Sequence, residues 1–245
     1  MEGSKVTDNL KSKENLLAAI LPGDSLDRIR KIFDSVTEPG ISRKVTALTD
    51  WESFLVKIVL DGLLVPELPK YLGSSILDLG SGGGFPGMLL AMVKPGSRVT
   101  LLDSVARKGE VASQAAMKAG IANVEILTGR AEDLGRAETY RASFDTVTAK
   151  AVAPLPVLLE LTMPFLQIHG RLLAYKGPGA NEEIEQSANA MKILGGHLEE
   201  VLDYSLPAMD NGEGPFERKL LVIRKTAETP FSYPRRAGIP RKKPL

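Results

Sequence analysis

The chain has 245 residues, 43% of them hydrophobic and 25% charged, with a formal net charge of +1, which indicates a globular protein with one substantial core. The absence of cysteine excludes disulfides and thiolate metal sites, and with only two histidines, His169 and His197, we expect no metal cofactor. No run of 18 apolar residues could span a membrane, and the polar start MEGSKVTDNLKSKENLL lacks an apolar signal core, so we expect a cytoplasmic protein.

Helical patterns dominate residues 1–70. The stretch SLDRIRKIFDSV, residues 25–36, has apolar residues at helical spacing. The stretch TDWESFLVKIVLDGLLV, residues 49–65, begins with Thr49 and Glu52 at the spacing of a capping box. We therefore predict a small helical N-terminal segment over residues 1–70.

Short apolar runs alternate with helical stretches over residues 71–230. The runs are SILDL, RVTLLD, NVEILTG, FDTVTAK and GRLLAYKG, and the stretches between them include GMLLAMVK, ARKGEVASQAAMKAG and PVLLELTMPFLQ. This alternation predicts an α/β domain, a mostly parallel sheet with helices on both faces. LEEVLDYSL and RKLLVIRK then follow one another without a helix, so we expect an antiparallel pair at one edge.

A glycine-rich loop follows the first predicted strand, in ILDLGSGGGFPG at residues 76–87. Glycine permits positive φ and lets a ligand approach the backbone, which we predict at Gly80 and Gly82. Phe85 stands where the dinucleotide fingerprint needs its third glycine, so a nicotinamide oxidoreductase ranks last. The run acid-x-G-x-G-x-G from Asp78 to Gly84 is instead typical of the first motif of S-adenosylmethionine-dependent methyltransferases. A plain strand-to-helix turn would explain the loop as well.

Acidic residues end the next two strands. Asp103 lies about twenty residues beyond the loop, where a carboxylate would accept hydrogen bonds from ribose hydroxyls; it could equally cap the following helix. Ala131 and Glu132 stand where an adenine edge would lie. Because three successive strand ends carry fitting residues, we predict a nucleoside-containing cofactor at this edge of the sheet.

The last fifteen residues, FSYPRRAGIPRKKPL, form a basic tail, defined here as residues 231–245. Without the five cations of this tail the chain has 26 basic and 30 acidic residues, a net charge of −4. Its prolines, Pro234, Pro240 and Pro244, predict an extended segment and argue against a helix through it. A solvated terminus is one interpretation; the other is RNA binding through phosphate contacts by Arg235, Arg236, Arg241, Lys242 and Lys243.

Several of these stretches together resemble the RsmG (GidB) family of ribosomal RNA methyltransferases. They are LDLGSGGGFPG, TLLDS, GRAED, AVAPLPVLLE, GRLLAYKG and YPRRAGIPRKKPL, within residues 45–245. The resemblance implies a Rossmann-like class I methyltransferase fold and methyl transfer from S-adenosylmethionine to guanine N7 in 16S ribosomal RNA. It implies ribosomal RNA or a small-subunit particle as partner. Cofactor contacts would fall on Gly80, Phe85, Asp103, Ala131, Glu132 and Lys150.

Three positions depart from the usual family sequence. The chain has Lys44 in place of asparagine, Ile58 in place of histidine and Lys150 in place of arginine. Lysine offers one point charge where arginine offers a planar fork. Two alternatives to the RNA methyltransferase therefore stay open: an RNA-binding protein that keeps the fold with altered or lost activity, and a small-molecule methyltransferase.

Overall fold

The computed structural model describes residues 2–21, 23–39 and 48–245. Within these residues, seven strands form one sheet in the order β3-β2-β1-β4-β5-β7-β6. They are β1 (Ser75–Leu79), β2 (Arg98–Asp103), β3 (Val124–Thr128), β4 (Phe144–Lys150), β5 (Leu166–Lys176), β6 (Gly196–Leu206) and β7 (Phe216–Lys225). Strands β1 to β5 pair in parallel, and β7 runs antiparallel to both of its neighbours. The predicted α/β sheet with an antiparallel edge pair is confirmed.

Helices cover both faces of the sheet. One face carries α1 (Glu2–Ile20), α2 (Ser25–Thr37), α3 (residues 51–63), α4 (Gly87–Val93) and α5 (Ala106–Lys118). The other carries α6 (Ala131–Leu134), α7 (Leu155–Thr162), α8 (Ala180–Gln186) and α9 (Ala188–Leu194). Ile76 of β1 is buried in the first core and Leu77 in the second, so the strand is apolar on both sides.

Helix α3 combines three helical geometries. It begins as α-helix at Trp51–Phe54, continues as a π-helical turn at Leu55–Leu60 and ends as α-helix at Asp61–Leu63. The Asp50 side chain caps it by accepting a hydrogen bond from the Ser53 amide at 2.8 Å. The sequence predicted Thr49 as the cap; the observed cap is one residue later. The last turn of α3 packs on α4, which begins at the glycine loop.

Two boundaries differ from the predicted ones. The helix predicted over residues 156–167 ends as α7 at Thr162, passes through a 3-10 turn at Met163–Phe165, and gives way to β5 at Leu166. Pro164 explains this early end, because it cannot donate a helical hydrogen bond.

No helix in the described part of the chain is long and apolar enough to cross a membrane.

A short helix, α10 (Ile239–Lys242), lies in the basic tail, where the sequence predicted an extended segment. Pro240 is in the first turn of this helix, where proline costs no helical hydrogen bond. The tail packs against the body of the protein through α7. The Arg141 guanidinium donates to the carbonyl oxygens of Thr229 and Tyr233, and Arg136 donates to that of Pro234 at 2.7 Å. Tail residues 231–245 are thus held along the second face of the sheet.

Candidate active site

The loop after β1 holds three glycines at positive φ, of 74° at Gly80, 56° at Gly82 and 98° at Gly84. A Cβ atom on Gly80 would lie 2.7 Å from a methyl group of Val152, and one on Gly84 would lie 2.5 Å from Met88. A Cβ atom on Gly82 would meet no atom within 4 Å. Packing therefore requires glycine at two of these positions, and Gly82 presents bare backbone to open space.

Asp78 lies at the base of the loop and is fully buried. One carboxylate oxygen, Oδ2, accepts a hydrogen bond from the Gly87 amide at 2.8 Å, which joins β1 to the start of α4. The other oxygen, Oδ1, has no partner among the described residues. Burial raises the pKa of Asp78 to about 7, against the lowering effects of the Gly87 amide and Lys150. The site thus contains an unpaired buried carboxylate oxygen that a ligand could satisfy.

Asp103, at the end of β2, ties the loop to the second strand. Its Oδ2 accepts a hydrogen bond from the Gly82 amide at 3.0 Å and its Oδ1 accepts one from the Val105 amide at 2.9 Å. The N-cap residue of α5 is Val105, so Asp103 holds the turn before the helix. Each carboxylate oxygen can accept more than one hydrogen bond, so Asp103 keeps capacity for a hydroxyl donor.

A cavity of about 230 Å³ opens at the carboxyl ends of β1, β2 and β3. Its lining combines apolar side chains with acidic ones, as a nucleoside requires for its base and its hydroxyls. Residues that line it include Leu79, Gly80, Leu102, Asp103, Ala131, Glu132, Val152, Val157, Leu161, Pro240 and Arg241. The sheet therefore brings together the predicted residues Gly80, Asp103, Ala131 and Glu132, with Gly82 joined to them through Asp103.

Phe85 does not line this cavity. Its ring packs edge-on against Phe54 of α3, with centroids 5.3 Å apart, and joins the first core. The structure thus shows Phe85 in a packing role, and the cofactor contact that the family resemblance implies for it stays a prediction. Side-chain direction after a loop of glycines has no signature in the sequence.

Lys150, the last residue of β4, is mostly buried, with 14% of its side chain exposed. Its Nζ pairs with Asp61 Oδ2 at 2.8 Å and donates to the Lys57 carbonyl oxygen at 2.7 Å. Burial lowers the pKa of Lys150, and the neighbouring Asp61 carboxylate opposes that shift. An ammonium has three donors, so one remains for a ligand.

A second, larger cavity of about 630 Å³ adjoins the first, and the two share Val152. Charged residues that line it are Asp61, Lys150, Lys176, Glu183 and Arg218. Between Lys150 and Val152, Ala151 has a positive φ of 57°, which is uncommon for a residue with a Cβ atom and is found at binding sites.

Of the residues that line this second cavity, the sequence predicted only Lys150; the polar side chains it missed are Asp61, Tyr175, Lys176, Glu183 and Arg218. Asp61 is buried and also accepts a hydrogen bond from the Tyr204 hydroxyl at 2.9 Å. The only signal available was an acidic residue inside the apolar helix α3. Tyr175 and Arg218 lie on neighbouring strands whose pairing the sequence did not specify to the residue.

The predicted RNA-binding residues occupy different surroundings. Arg235 makes a bidentate pair with Glu160, whose side chain is fully buried, with Nη2 and Oε2 2.6 Å apart. Arg241 lines the first cavity and donates to the Val152 carbonyl oxygen at 3.3 Å. Arg236, Lys242 and Lys243 are exposed. Phosphate contacts by these five residues stay a prediction.

Of the other two departures from the family sequence, Ile58 and Lys44, the structure describes only Ile58. Ile58 lies in the π-helical turn of α3 and packs on the first core. Lys44 lies outside the described residues. Among residues 2–21, 23–39 and 48–245, no three histidine, cysteine or acidic side chains lie close enough to hold a metal ion.

The geometry fits an adenosine-containing cofactor. The first cavity offers apolar walls from Leu102 and Val157, carboxylates at Asp103 and Glu132, and Gly80 of the loop. Gly82 lies outside this lining and is joined to it by its hydrogen bond to Asp103. The sheet order and these strand-end residues define a class I methyltransferase that depends on S-adenosylmethionine.

Solved structures support the fold. A Thermoplasma acidophilum protein proposed to be a methyltransferase superimposes with a TM-score of 0.51 at 13% identity, over 64% of this chain and 70% of that chain. A protein solved in work on the conversion of a disulfide bond into a thioacetal group during echinomycin biosynthesis gives a TM-score of 0.50 at 18% identity, over 65% and 79%. At such identities the likeness concerns the fold alone.

Sequence relatives are more specific. The profile of the family described as rRNA small subunit methyltransferase G matches residues 26–208. A Pelotomaculum thermopropionicum protein named ribosomal RNA small subunit methyltransferase G is 35% identical over 243 residues, 99% of this chain and 100% of that protein. Its namesake from Symbiobacterium thermophilum is 41% identical over 221 residues, 87% of each chain. The chain belongs to the rRNA small subunit methyltransferase G family.

Proposed function

We propose that this protein transfers the methyl group of S-adenosylmethionine to N7 of a guanine in 16S ribosomal RNA. One observation carries the proposal: an acid-lined nucleoside cavity and a larger, charged cavity meet at Val152, at the carboxyl ends of the parallel strands. The first suits the cofactor and the second suits a nucleotide base. The names of the relatives support ribosomal RNA as the source of that base.

The proposed reaction requires no general base from the protein. S-adenosylmethionine, when bound, supplies an electrophilic sulfonium methyl group, and guanine N7 carries a free lone pair, so no proton has to be removed. In agreement, the second cavity has no histidine or cysteine in its lining. The task of the protein is alignment, and positioning can contribute roughly 7–11 kcal/mol in the best intramolecular cases.

Charges around the second cavity favour a polyanion. Lys150, Lys176 and Arg218 outnumber the two acids of the lining, Asp61 and Glu183. Lys176 pairs with Glu183 at 2.6 Å, and Lys150 pairs with Asp61. The Arg218 Nε lies 3.5 Å from Asp61, with 24% of its side chain exposed. Arg218 is therefore the cation best placed to meet an RNA phosphate, since it is the most open of the three and its distance to its carboxylate partner is the longest.

Two alternatives come from the sequence. A small-molecule methyltransferase would share the first cavity, but the basic tail and the family give it no support. A protein with lost activity would be expected to have a damaged cofactor cavity. Here Lys150, although not the usual arginine, keeps a cation at the junction of β4 with the second cavity.

The test is methylation in solution with a mass-spectrometric readout. Small-subunit particles and 16S RNA from cells that lack this gene are incubated with the purified protein and S-adenosylmethionine, and the nucleosides are analysed for 7-methylguanosine. We expect one new 7-methylguanosine per 16S RNA. Absence of the product with both substrates, while the cofactor still binds, would overturn the proposal.

Variants at Lys150 sharpen this test. Lys150→Ala removes the cation and leaves buried Asp61 less compensated, so turnover should fall, whereas Lys150→Arg should retain it. Lys192→Ala, at an exposed position of α9, is the matched control and should behave as wild type. Equal product from all three variants would show that Lys150 is a bystander.

A further inference from the structure

Residues 238–241 of the tail lie against the first cavity. Gly238, Pro240 and Arg241 belong to its lining, together with Gly80, Asp103 and Glu132. Pro240 is buried although its neighbours Ile239 and Arg241 are exposed. From the sequence, the tail was interpreted as a solvated terminus or as an RNA-binding segment. Its place beside the cofactor residues raises a second role.

Two hydrogen bonds join this segment to the site. The Gly238 amide donates to Glu132 Oε1 at 3.0 Å, and the Arg241 guanidinium donates to the Val152 carbonyl oxygen at 3.3 Å. Glu132 is a predicted cofactor residue, and Val152 covers Gly80 and separates the two cavities. The segment therefore contacts one residue at each end of the first cavity.

Residues before and after the segment hold it in place. Arg235 pairs with buried Glu160 and also donates to the Lys243 carbonyl oxygen at 2.8 Å, which closes the tail around α10. Arg141 and Arg136 fix the chain just before it through main-chain carbonyl oxygens. The backbone of residues 238–241 is thus set before any ligand arrives.

We propose that residues 238–241 are a wall of the cofactor site, with Pro240 covering the nucleoside and the Gly238 amide orienting Glu132. This inference deepens the proposed function, since it concerns the same cofactor cavity. Arg241 belongs to the cofactor cavity in this assignment, while Arg236, Lys242 and Lys243 remain free for RNA. One short segment then serves both ligands.

The experiment is calorimetric titration of S-adenosylhomocysteine into the RNA-free protein, so its result does not depend on the RNA substrate. We expect the deletion of residues 238–245 and the double variant Pro240→Gly/Arg241→Ala each to weaken binding by about tenfold or more. The double variant Lys242→Ala/Lys243→Ala, with both positions exposed and outside the cavity lining, is the control. It should bind within about twofold of wild type.

Melting temperatures of the ligand-free proteins accompany the titrations. If these variants lose binding while their melting temperatures stay at the wild-type value, the result supports the proposal that residues 238–241 are a wall of the cofactor site. If the deletion lowers the melting temperature, the Pro240→Gly/Arg241→Ala variant decides, because it keeps the Arg235 anchor intact. Wild-type affinity in that variant would overturn the proposal, and so would equal weakening in the Lys242→Ala/Lys243→Ala control.

Discussion

Two glycines of the loop after β1 meet different surroundings. The position of a Cβ atom on Gly82 is open, whereas a Cβ atom on Gly87 would lie 2.2 Å from Leu101 and 2.9 Å from Asp78. We expect Gly82→Val to abolish S-adenosylhomocysteine binding, while backbone strain at its positive φ lowers the free energy of unfolding by about 1–3 kcal/mol. Titration and urea unfolding of the variant test this. Unchanged affinity would remove Gly82 from the site.

Gly87 supplies the matched control. Gly87→Ala forces a methyl group into occupied space, so it should lower the free energy of unfolding by about 1–3 kcal/mol through overpacking. Cofactor affinity should fall less in Gly87→Ala than in Gly82→Val, because Gly87→Ala affects the cofactor only by displacing the loop. If Gly87→Ala weakens binding more than Gly82→Val does, the loop acts through its packing and not through bare backbone.

Asp78 makes the stability of the ligand-free protein depend on pH. Its folded pKa of about 7 lies above the ordinary value of 3.8, so the folded state keeps a proton that the unfolded state releases. The stabilising contribution is full below about pH 4 and is lost as the pH rises through 7.

Urea unfolding of wild type and Asp78→Asn measures this contribution, since asparagine keeps an acceptor for the Gly87 amide and cannot ionise. From pH 5 to pH 8 the wild type should lose stability relative to the variant, by an amount on the order of 3 kcal/mol at most. Parallel pH profiles for the two proteins would mean that Asp78 titrates normally in the folded state.

At the scale of residues, position was predictable and side-chain direction was not. Gly80, Asp103, Ala131 and Glu132 were expected together because the carboxyl ends of parallel strands meet at one edge of a sheet, and they do. The packing of Phe85 on Phe54 depends on where α3 lies, which no local pattern specifies.

At the scale of elements, the attachment of the tail to α7 depends on one ion pair, Arg235–Glu160. Arg235 faces Glu160 of α7, whose carboxylate is fully buried and whose Oε1 also accepts the Arg235 amide at 2.7 Å. Removing one partner of a buried pair leaves an uncompensated charge. We therefore expect Arg235→Ala to lower the free energy of unfolding by about 3–5 kcal/mol, measured by urea unfolding.

Arg236→Ala is the control for that prediction, since Arg236 is the neighbouring, exposed arginine. A surface substitution of this kind should stay within about 0.5 kcal/mol of wild type. If both variants unfold like wild type, Arg235 is available for RNA as the sequence suggested, and the Glu160 pair contributes nothing to the anchor.

Strands and helices could be predicted because their hydrophobic patterns involve residues close together in the chain. The alternation of apolar runs and helical stretches depends on neighbours in the chain, and it predicted the seven strands in their order along the chain, while the short helix α6 was not predicted. The docking of α10 on α7 depends on Glu160 and Arg235, which are 75 residues apart in the chain. A pairing over that distance leaves no periodic pattern, so the sequence predicted a solvated or an RNA-binding terminus and not the docking of the tail on α7.

At the scale of the whole molecule, charge is unevenly distributed. The chain outside the five cations of the tail has a net charge of −4, and the tail lies on the second face of the sheet beside the first cavity. An acidic body repels RNA, so binding has to begin where cations are exposed. Arg236, Lys242 and Lys243 are exposed cations of the tail, and we predict that RNA binding begins there.

The salt dependence of RNA binding tests this distribution. Each phosphate contact changes the slope of log affinity against log salt by about 0.7–0.9 through counterion release, so the triple variant Arg236→Gln/Lys242→Gln/Lys243→Gln should make the slope shallower by roughly 2 to 3. Its melting temperature and its affinity for S-adenosylhomocysteine should remain those of wild type, because all three side chains are exposed and none lines the first cavity. A triple substitution at exposed Lys31, Lys118 and Lys192, which removes the same charge outside the tail, controls for net charge. If both triple variants shift the slope equally, the RNA responds to total charge and the tail makes no phosphate contacts of its own.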